Sequence, residues 1–426
     1  MGDLMKILVI GSSAKEHAII WKLYQGETVE EVFCAPGNLG TSKFATNVDI
    51  RPYEIKKLVD FAKANQIELT IASSKIALDS GIVEAFQRDN LVIFGPTKNA
   101  MRPIMNRSFA KKFFHKYKIS TPKFAVFEKE GQAIDHARGE KYPLLIKLDT
   151  PTPDINVFHA ETFTQAKAYI EKAFGNLNKR VIIEEFVEGK EIVLPIITDG
   201  YNAIPLPSCI LHRRMLEGDG GSYTNGIGAY ATAPIDSELE NLIANTIVFP
   251  TIDGLANDKM PYSGILTFRM KLNNKGAIGL IELDSDLENI ETQTILPLIK
   301  EDMARVYYSC AVGALGDDYK TIEFENQSSA SIMFTQSPYP AEFTKGNVIE
   351  IEEEIDEDLL IFYNKVKENN YFEKVVDGGQ VLSLTATAST LSLALDKMYT
   401  AVDYVQFEGK RFRHDVGQHG LIGNIK

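Results

Sequence analysis

Four short apolar runs rich in β-branched residues, at 6–11, 31–35, 67–72 and 91–95, alternate with stretches of helical periodicity that start near Ala14, Tyr53 and Ser80. Runs that are apolar on both faces suit a parallel sheet covered on both sides, and each gap holds one crossover helix. The pattern predicts a Rossmann-like domain over residues 1–102. Ligands of such sheets collect at the carboxyl ends of the strands, so the segments that follow each run are the first place to look for chemistry.

Beyond Pro96 and Pro103 the pattern changes. Residues 106–117 read as an amphipathic helix, and Ser120-Thr121-Pro122 reads as a break. Strands near Phe124, at 144–148, near Val157 and at 180–184 enclose helices at 131–138 and 164–174, which makes a small α+β module over about 121–188. From Glu191 strands dominate, followed by a long helix over 238–254 and two strands ending at Leu283. A further α+β unit is expected over 326–426, with strands at 331–334 and 379–386, a solvated acidic face at 350–358 and a helix over 391–407. No internal repeat and no low-complexity segment is present.

The 58 acidic residues outnumber the 45 basic ones, for a net charge of -13. Such a chain has no excess of cations with which to displace counterions from nucleic acid, and none for an anionic membrane. Small molecules are the expected partners. Cys34, Cys209 and Cys310 are far apart and lack metal or disulfide spacing, which fits free thiols in a reducing cytoplasm.

The first strand leads into Gly11-Ser12-Ser13-Ala14-Lys15-Glu16-His17. Only Gly11 of the three glycines of a dinucleotide fingerprint is present, which argues against a nicotinamide cofactor. The second strand ends in Ala35-Pro36-Gly37-Asn38-Leu39-Gly40-Thr41. Its N–H groups can form an anion-binding nest, or the segment can be an ordinary turn, and both readings stand at this point.

These two loops, together with Phe94-Gly95-Pro96-Thr97-Lys98, Ile183-Glu184-Glu185-Phe186, Gly218-Asp219 through Gly226-Ile227-Gly228, Ile281-Glu282 through Glu291-Thr292-Gln293, and Phe412 to Gly417, occur in the order and near the spacing of one family. Over essentially its whole length the chain resembles the phosphoribosylamine–glycine ligases. The resemblance implies an ATP-grasp domain over 103–325 with the 121–188 module as its lid, between the Rossmann-like and carboxyl-terminal α+β domains. It also implies ATP and Mg²⁺ as cofactors, and glycine and 5-phosphoribosylamine as substrates joined through a glycyl phosphate. By the same resemblance Arg107 and Lys147 meet the phosphates, Glu184, Glu185, Phe186 and Val187 form the adenine hinge, and Glu191 holds the ribose. Glu282 and Asp284 are the implied metal ligands, with Arg213, Arg214 and Asp219 in catalytic positions. Gly11, Glu16, His17, Gly37, Asn38, Gly40 and Thr41 fall on the substrate side.

Departures from the family pattern fall on the phosphate chemistry. The glycine-rich cover after Lys147 reads Leu148-Asp149-Thr150-Pro151-Thr152-Pro153-Asp154-Ile155-Asn156, and prolines remove the amide donors such a cover needs. Asp286 stands where the family has an arginine, Lys75 where it has a glutamate, Asp284 where it has an asparagine, and Leu211 where an aspartate is expected. A carboxylate in place of a cation beside phosphate inverts a contact worth on the order of 4 kcal/mol. Two functions therefore stand open: the family's ligase reaction, or a ligase-fold protein that binds a nucleotide, a purine intermediate or a partner without turnover. His115, His136, His159 and His212 lack ligand spacing and are expected to be structural.

Overall fold

The structure is a computed structural model that describes residues 4–149, 157–175, 180–233, 235–341, 343–352, 356 and 358–418. The first apolar run becomes the strand Met5–Gly11, central in a five-stranded parallel sheet ordered Thr46–Asn47, Val29–Pro36, Met5–Gly11, Leu69–Ala72, Ile93–Phe94. The Ala14–Tyr24 helix starts on a reciprocal cap in which Ser13 and Glu16 satisfy each other's backbone N–H groups. Ile55–Ala64 and Ile82–Arg88 are the other two expected helices. An additional short helix, Lys75–Asp79, precedes the last of these, and Gly81 at φ +80° separates the two.

The second module is a four-stranded antiparallel sheet ordered Phe124–Phe127, Val181–Glu185, Leu144–Leu148, Val157–Ala160. The helices Glu130–Gly139 and Phe163–Gly175 cover one face through Ala133, Ala137, Ala166 and Ile170, packed on Leu144, Ile146, Leu148, Val181 and Ile183. Strand residues alternate between faces, so Leu145, Lys147, Ile182 and Glu184 point the other way. That other face is one wall of the cleft described below.

The opposite wall belongs to a ten-stranded sheet. Its main path runs Ile278–Asp284, Gly264–Asn273, Gly189–Thr198, Cys209–Leu216, Gly220–Ala231, Ser328–Gln336, Gln380–Ala388, Leu359–Tyr363. The sheet passes through the boundary expected near residue 326, because Gly228 to Ala231 pair with Ser329 to Ile332. Polar and small residues on these strands gave no sign of that pairing, which is set by partners about a hundred residues apart.

Two helices differ from expectation. The long one runs from Ser237 to Asn257 but widens to a π-turn at Ala244–Val248. Pro250 lacks the N–H that would bond the Thr246 carbonyl, and that carbonyl instead accepts the Ser120 N–H at 3.3 Å, at the entrance to the lid. The carboxyl-terminal helix ends at Thr400 rather than Phe407; a 3-10 turn at Ala401–Tyr404 follows, then Val405 pairs with Ile351. Among the described residues no helix is long and apolar enough to cross a membrane.

Candidate functional site

The lid face and the large sheet enclose a cleft. Its part near the lid is lined by Leu145, Lys147, Val157, Glu184, Glu185, Phe186, Val187, Glu191, Arg213, Tyr223, Lys271, Ile281 and Glu282. Every residue expected at the adenine and ribose end is in this set. Glu184 is buried, with Lys147 Nζ at 2.9 Å from one oxygen and Lys111 Nζ at 2.7 Å from the other. Burial pushes the Glu184 carboxyl up, but the two ammonium groups outweigh it and keep the group below its ordinary value.

Lys147, Arg213, Ile281 and Glu282 also form a common wall with a second cavity of about 320 Å³, where Arg107, Lys111, Arg269, Asp284, Lys75 and Glu288 are added. Six cations and three carboxylates line it. Arg213 Nη1 lies 3.1 Å from Glu191 and 3.2 Å from Glu282, and Arg107 Nη2 is 4.0 Å from Glu282. Arg107 also donates to the Leu148 carbonyl at 3.2 Å, which ties it to the end of the Lys147 strand. Arg269 reaches Asp284 at 3.5 Å and forms a two-pronged pair with buried Glu291. Burial acts against the charged form of Glu282, yet Arg213, Arg107 and Lys147 hold it well below the usual carboxylate range.

The sequence placed Asp286 beside phosphate, where it would repel. The structure corrects this. Asp286 is absent from the cavity wall; its carboxylate faces the Lys15 ammonium at 3.4 Å and caps the Leu287 N–H at 2.8 Å. Glu288 does face the cavity, as N-cap of the helix Asn289–Ile295, and Lys75 Nζ neutralises it at 2.6 Å. The same Nζ lies 2.8 Å from Asp284 Oδ1. The two charge reversals seen in the sequence, at 75 and 286, thus leave each carboxylate facing an internal cation. The segment 150–156, expected to be a poor phosphate cover, lies outside the described residues.

These residues do not fit a divalent cation at the implied ligand pair. Mg²⁺ requires carboxylate oxygens at about 2.1 Å with room for several waters. Asp284 is instead shared between an ammonium and a guanidinium, and Glu282 between guanidinium groups. A doubly charged ion about 4 Å from the Lys75 ammonium would meet a repulsion on the order of 8 kcal/mol at an effective dielectric of 20. Among the described residues no group of three or more His, Cys, Asp or Glu side chains is arranged to hold a metal.

At the carboxyl ends of the parallel strands the expected substrate residues come together but face inward. Glu16 accepts Ser13 N and Oγ and Ser73 Oγ, each at 2.6 Å. His17 is buried; its Nδ1 accepts the Tyr363 N–H at 3.0 Å and its ring meets Phe362 edge-on. The Gly37 to Thr41 loop takes the turn reading. Gly37, at φ +72°, donates its N–H to the Gly11 carbonyl, Asn38 Oδ1 accepts from Gly40 N at 2.7 Å and Thr41 N at 3.0 Å, and Asn38 N donates to Thr41 Oγ1. Asn38 Nδ2 lies within 3.2 Å of three carbonyls, those of Ser12, Ser13 and Tyr363. Those four backbone amides are hydrogen-bonded within the protein.

Arg213 and Arg214 make different contacts. Arg213 reaches into the cleft, whereas Arg214 stacks on Tyr223 at 3.8 Å and donates to the Gly221 carbonyl. Asp219, at the hairpin turn, receives Arg413 Nη1 at 2.7 Å and faces His212 Nδ1 at 3.6 Å. The His212 ring first, then the Arg413 guanidinium, hold its carboxyl well below the usual range against partial burial. His212, Arg213, Arg214, Asp219 and Tyr223 line a third cavity of about 470 Å³ on this side.

Lys15, Lys75, Lys111, Arg269 and Glu288 complete these networks and were not singled out from the sequence as binding residues. Two of them carried a signal. Lys111 follows Arg107 by four residues, hence on one helix face, and Arg269 interrupts the buried run of Gly264–Asn273, where a charge demands a partner.

A Rossmann-like domain, a small antiparallel lid and a large sheet enclosing a lysine-rich cleft define an ATP-grasp protein. Solved structures agree. A phosphoribosylamine–glycine ligase from Thermotoga maritima superposes with a TM-score of 0.82 and 27% identity, over 96% of this chain and all of that one. The biotin carboxylase domain of Hydrogenobacter thermophilus 2-oxoglutarate carboxylase matches in fold alone, with a TM-score of 0.71 and 14% identity over 97% of this chain and 92% of that one. Models of the phosphoribosylglycinamide synthetase N domain, ATP-grasp (A) domain and C domain match residues 5–102, 105–292 and 329–419. Phosphoribosylamine–glycine ligases of Halalkalibacterium halodurans and Clostridium acetobutylicum are 34% and 33% identical, over 98% and 97% of this chain and 97% and 100% of theirs. The chain belongs to the phosphoribosylglycinamide synthetase family.

Proposed function

We propose that this chain binds ATP in the cleft between lid and large sheet and joins glycine to 5-phosphoribosylamine, giving glycinamide ribonucleotide, ADP and phosphate. The observation that carries the reading is the meeting of Lys147, Glu184 to Val187 and Glu191, from two separate sheets, on a cavity that shares a wall with one lined by six cations. Cations placed along a polyphosphate, with an apolar slot for a base, are what phosphoryl transfer asks of a protein. In this chain Lys147, Arg107 and Arg213 hold the phosphate tail, and the Phe186–Val187 segment takes the base. Transfer of the terminal phosphoryl group to the glycine carboxylate releases ADP and makes an acyl phosphate; the amine of phosphoribosylamine then attacks its carbonyl carbon, forming the amide bond and expelling inorganic phosphate and a proton. No step is routed through a divalent ion on Asp284.

Purified chain given ATP, glycine and phosphoribosylamine, with and without Mg²⁺, tests the proposal. ADP release that requires both co-substrates is the expected result, and nucleotide binding without ADP release would contradict it. That second outcome corresponds to a protein that binds nucleotide without turnover, a reading favoured by the absence of an arginine at position 286 and by the proline-containing segment after Asp149.

A further inference from the structure

Lys75 is the residue of the cleft whose position least resembles a nucleotide contact. It starts the short helix Lys75–Asp79 at the end of the fourth parallel strand, yet its side chain crosses to the large sheet, where Nζ sits between Asp284 and Glu288 at 2.8 and 2.6 Å. Asp284 ends the strand Ile278–Asp284 and Glu288 caps the following helix, so the two carboxylates are fixed by backbone geometry independent of Lys75. What the ammonium supplies is charge at the point where they converge. Among the described residues of this corner Arg269 is held by Glu291 as well as Asp284, and Lys15 by Asp286. Only one positive charge is shared by Asp284 and Glu288 without a third carboxylate on it, and it is on Lys75.

We propose that the Lys75 ammonium is a built-in cation that occupies the place of a divalent metal between Asp284 and Glu288, so that the cleft takes a polyphosphate without a metal ion on Asp284. The proposal rests on the nucleotide reading above for its ligand but not for its test. The two carboxylates lie 2.8 and 2.6 Å from the ammonium, which places one positive charge at their meeting point. A neutral side chain at 75 would leave two converging carboxylates short of one positive charge, the condition under which a hard cation is recruited.

Electron paramagnetic resonance of Mn²⁺ titrated into the full chain reads the site directly, with no nucleotide and no turnover. The wild-type chain is expected to bind Mn²⁺ only weakly, with Kd of about 1 mM or above, whereas Lys75→Ala and Lys75→Gln bind it at least about tenfold more tightly. Lys75→Arg keeps the charge and is expected to behave as wild type. A parallel titration with ADP should show affinity in EDTA and in Mg²⁺ equal within about threefold for wild type and at least about tenfold apart for Lys75→Ala. Tight Mn²⁺ binding by the wild type that is lost in Asp284→Asn would overturn the proposal. So would equally weak binding by wild type and both neutral variants. Should the neutral variants fail to fold, the wild-type ADP titration decides: affinity equal within about threefold in EDTA and in Mg²⁺ supports the proposal, and affinity at least about tenfold higher in Mg²⁺ overturns it. A failure of the ligase reading would appear as absent ADP release and leave the Mn²⁺ result untouched.

Discussion

Arg413, in the carboxyl-terminal segment, donates through Nη1 to Asp219 at 2.7 Å, across 194 residues of sequence. The guanidinium is 1% exposed and also forms a paired contact with Asp415, both distances 2.6 Å, while Asp415 accepts the Gly218 N–H at 2.8 Å. The hairpin turn that carries Asp219 is therefore held from the far end of the chain. Removal of one partner of a buried ion pair leaves the other charge uncompensated, so Arg413→Met should cost about 3 kcal/mol of stability. Asp219→Asn, at a side chain more than half exposed, should cost under about 1 kcal/mol. Urea denaturation of the two variants checks the contrast, and equal losses would speak against it.

Lys147 faces the cleft because the alternation of Leu144–Leu148 turns it away from the lid helices. Its loss leaves Glu184 with Lys111 as partner, so Lys147→Ala should fold. A charge-assisted hydrogen bond to phosphate contributes roughly 1.5 to 3 kcal/mol, and ADP affinity in the variant should fall about 10- to 100-fold. Calorimetry that finds unchanged affinity would place the nucleotide elsewhere.

Burial, and after it the Lys43 ammonium, lower the His17 imidazole to about 3. The folded chain then binds fewer protons than the unfolded chain between pH 3 and the ordinary histidine value near 6.5. This contribution to stability is present above about pH 6.5 and declines by up to roughly 1.4 kcal/mol per unit as pH falls toward 3. His17→Asn keeps an acceptor for the Tyr363 N–H without a titrating ring. The difference in thermal stability between wild type and variant should therefore narrow or reverse on acidification, and a pH-independent difference would count against the assignment.

Cys34, Cys209 and Cys310 are all buried, and burial raises all three thiols, Cys310 to about 12. Thiolate is the reactive form, so a disulfide reagent at neutral pH should label none of the three until the chain unfolds. Labelling of the native protein on the timescale of free cysteine would show an opening that this packing does not provide.

How much was legible in the sequence followed the range of the interactions. The parallel strands and the lid strands announced themselves through local periodicity, and Leu144–Leu148 matched to the residue because alternate positions face helices and cleft. The continuity of the large sheet past residue 326 had no local signature, since Tyr230 and Ala330 meet only through the pairing of distant strands. At the site, residue types were legible and partners were not. Asp286 read as a charge against phosphate until the fold set it against Lys15, and Lys75 gave no hint of a reach to Asp284, 209 residues away. The Gly37 to Thr41 segment shows the same limit from the other side: its composition allowed a nest, and the Gly40 and Thr41 amides donate to Asn38 Oδ1.

The central claim is that the cleft holds an adenine nucleotide along its row of cations and does so without a metal on Asp284. A crystal structure of the chain with ADP and Mg²⁺ tests it most directly. The account predicts the base against Phe186 and Val187, the phosphates toward Lys147 and Arg107, and Lys75 still between Asp284 and Glu288. Phosphates held by a magnesium ion within about 2.1 Å of an Asp284 oxygen, with Lys75 swung away, would contradict it.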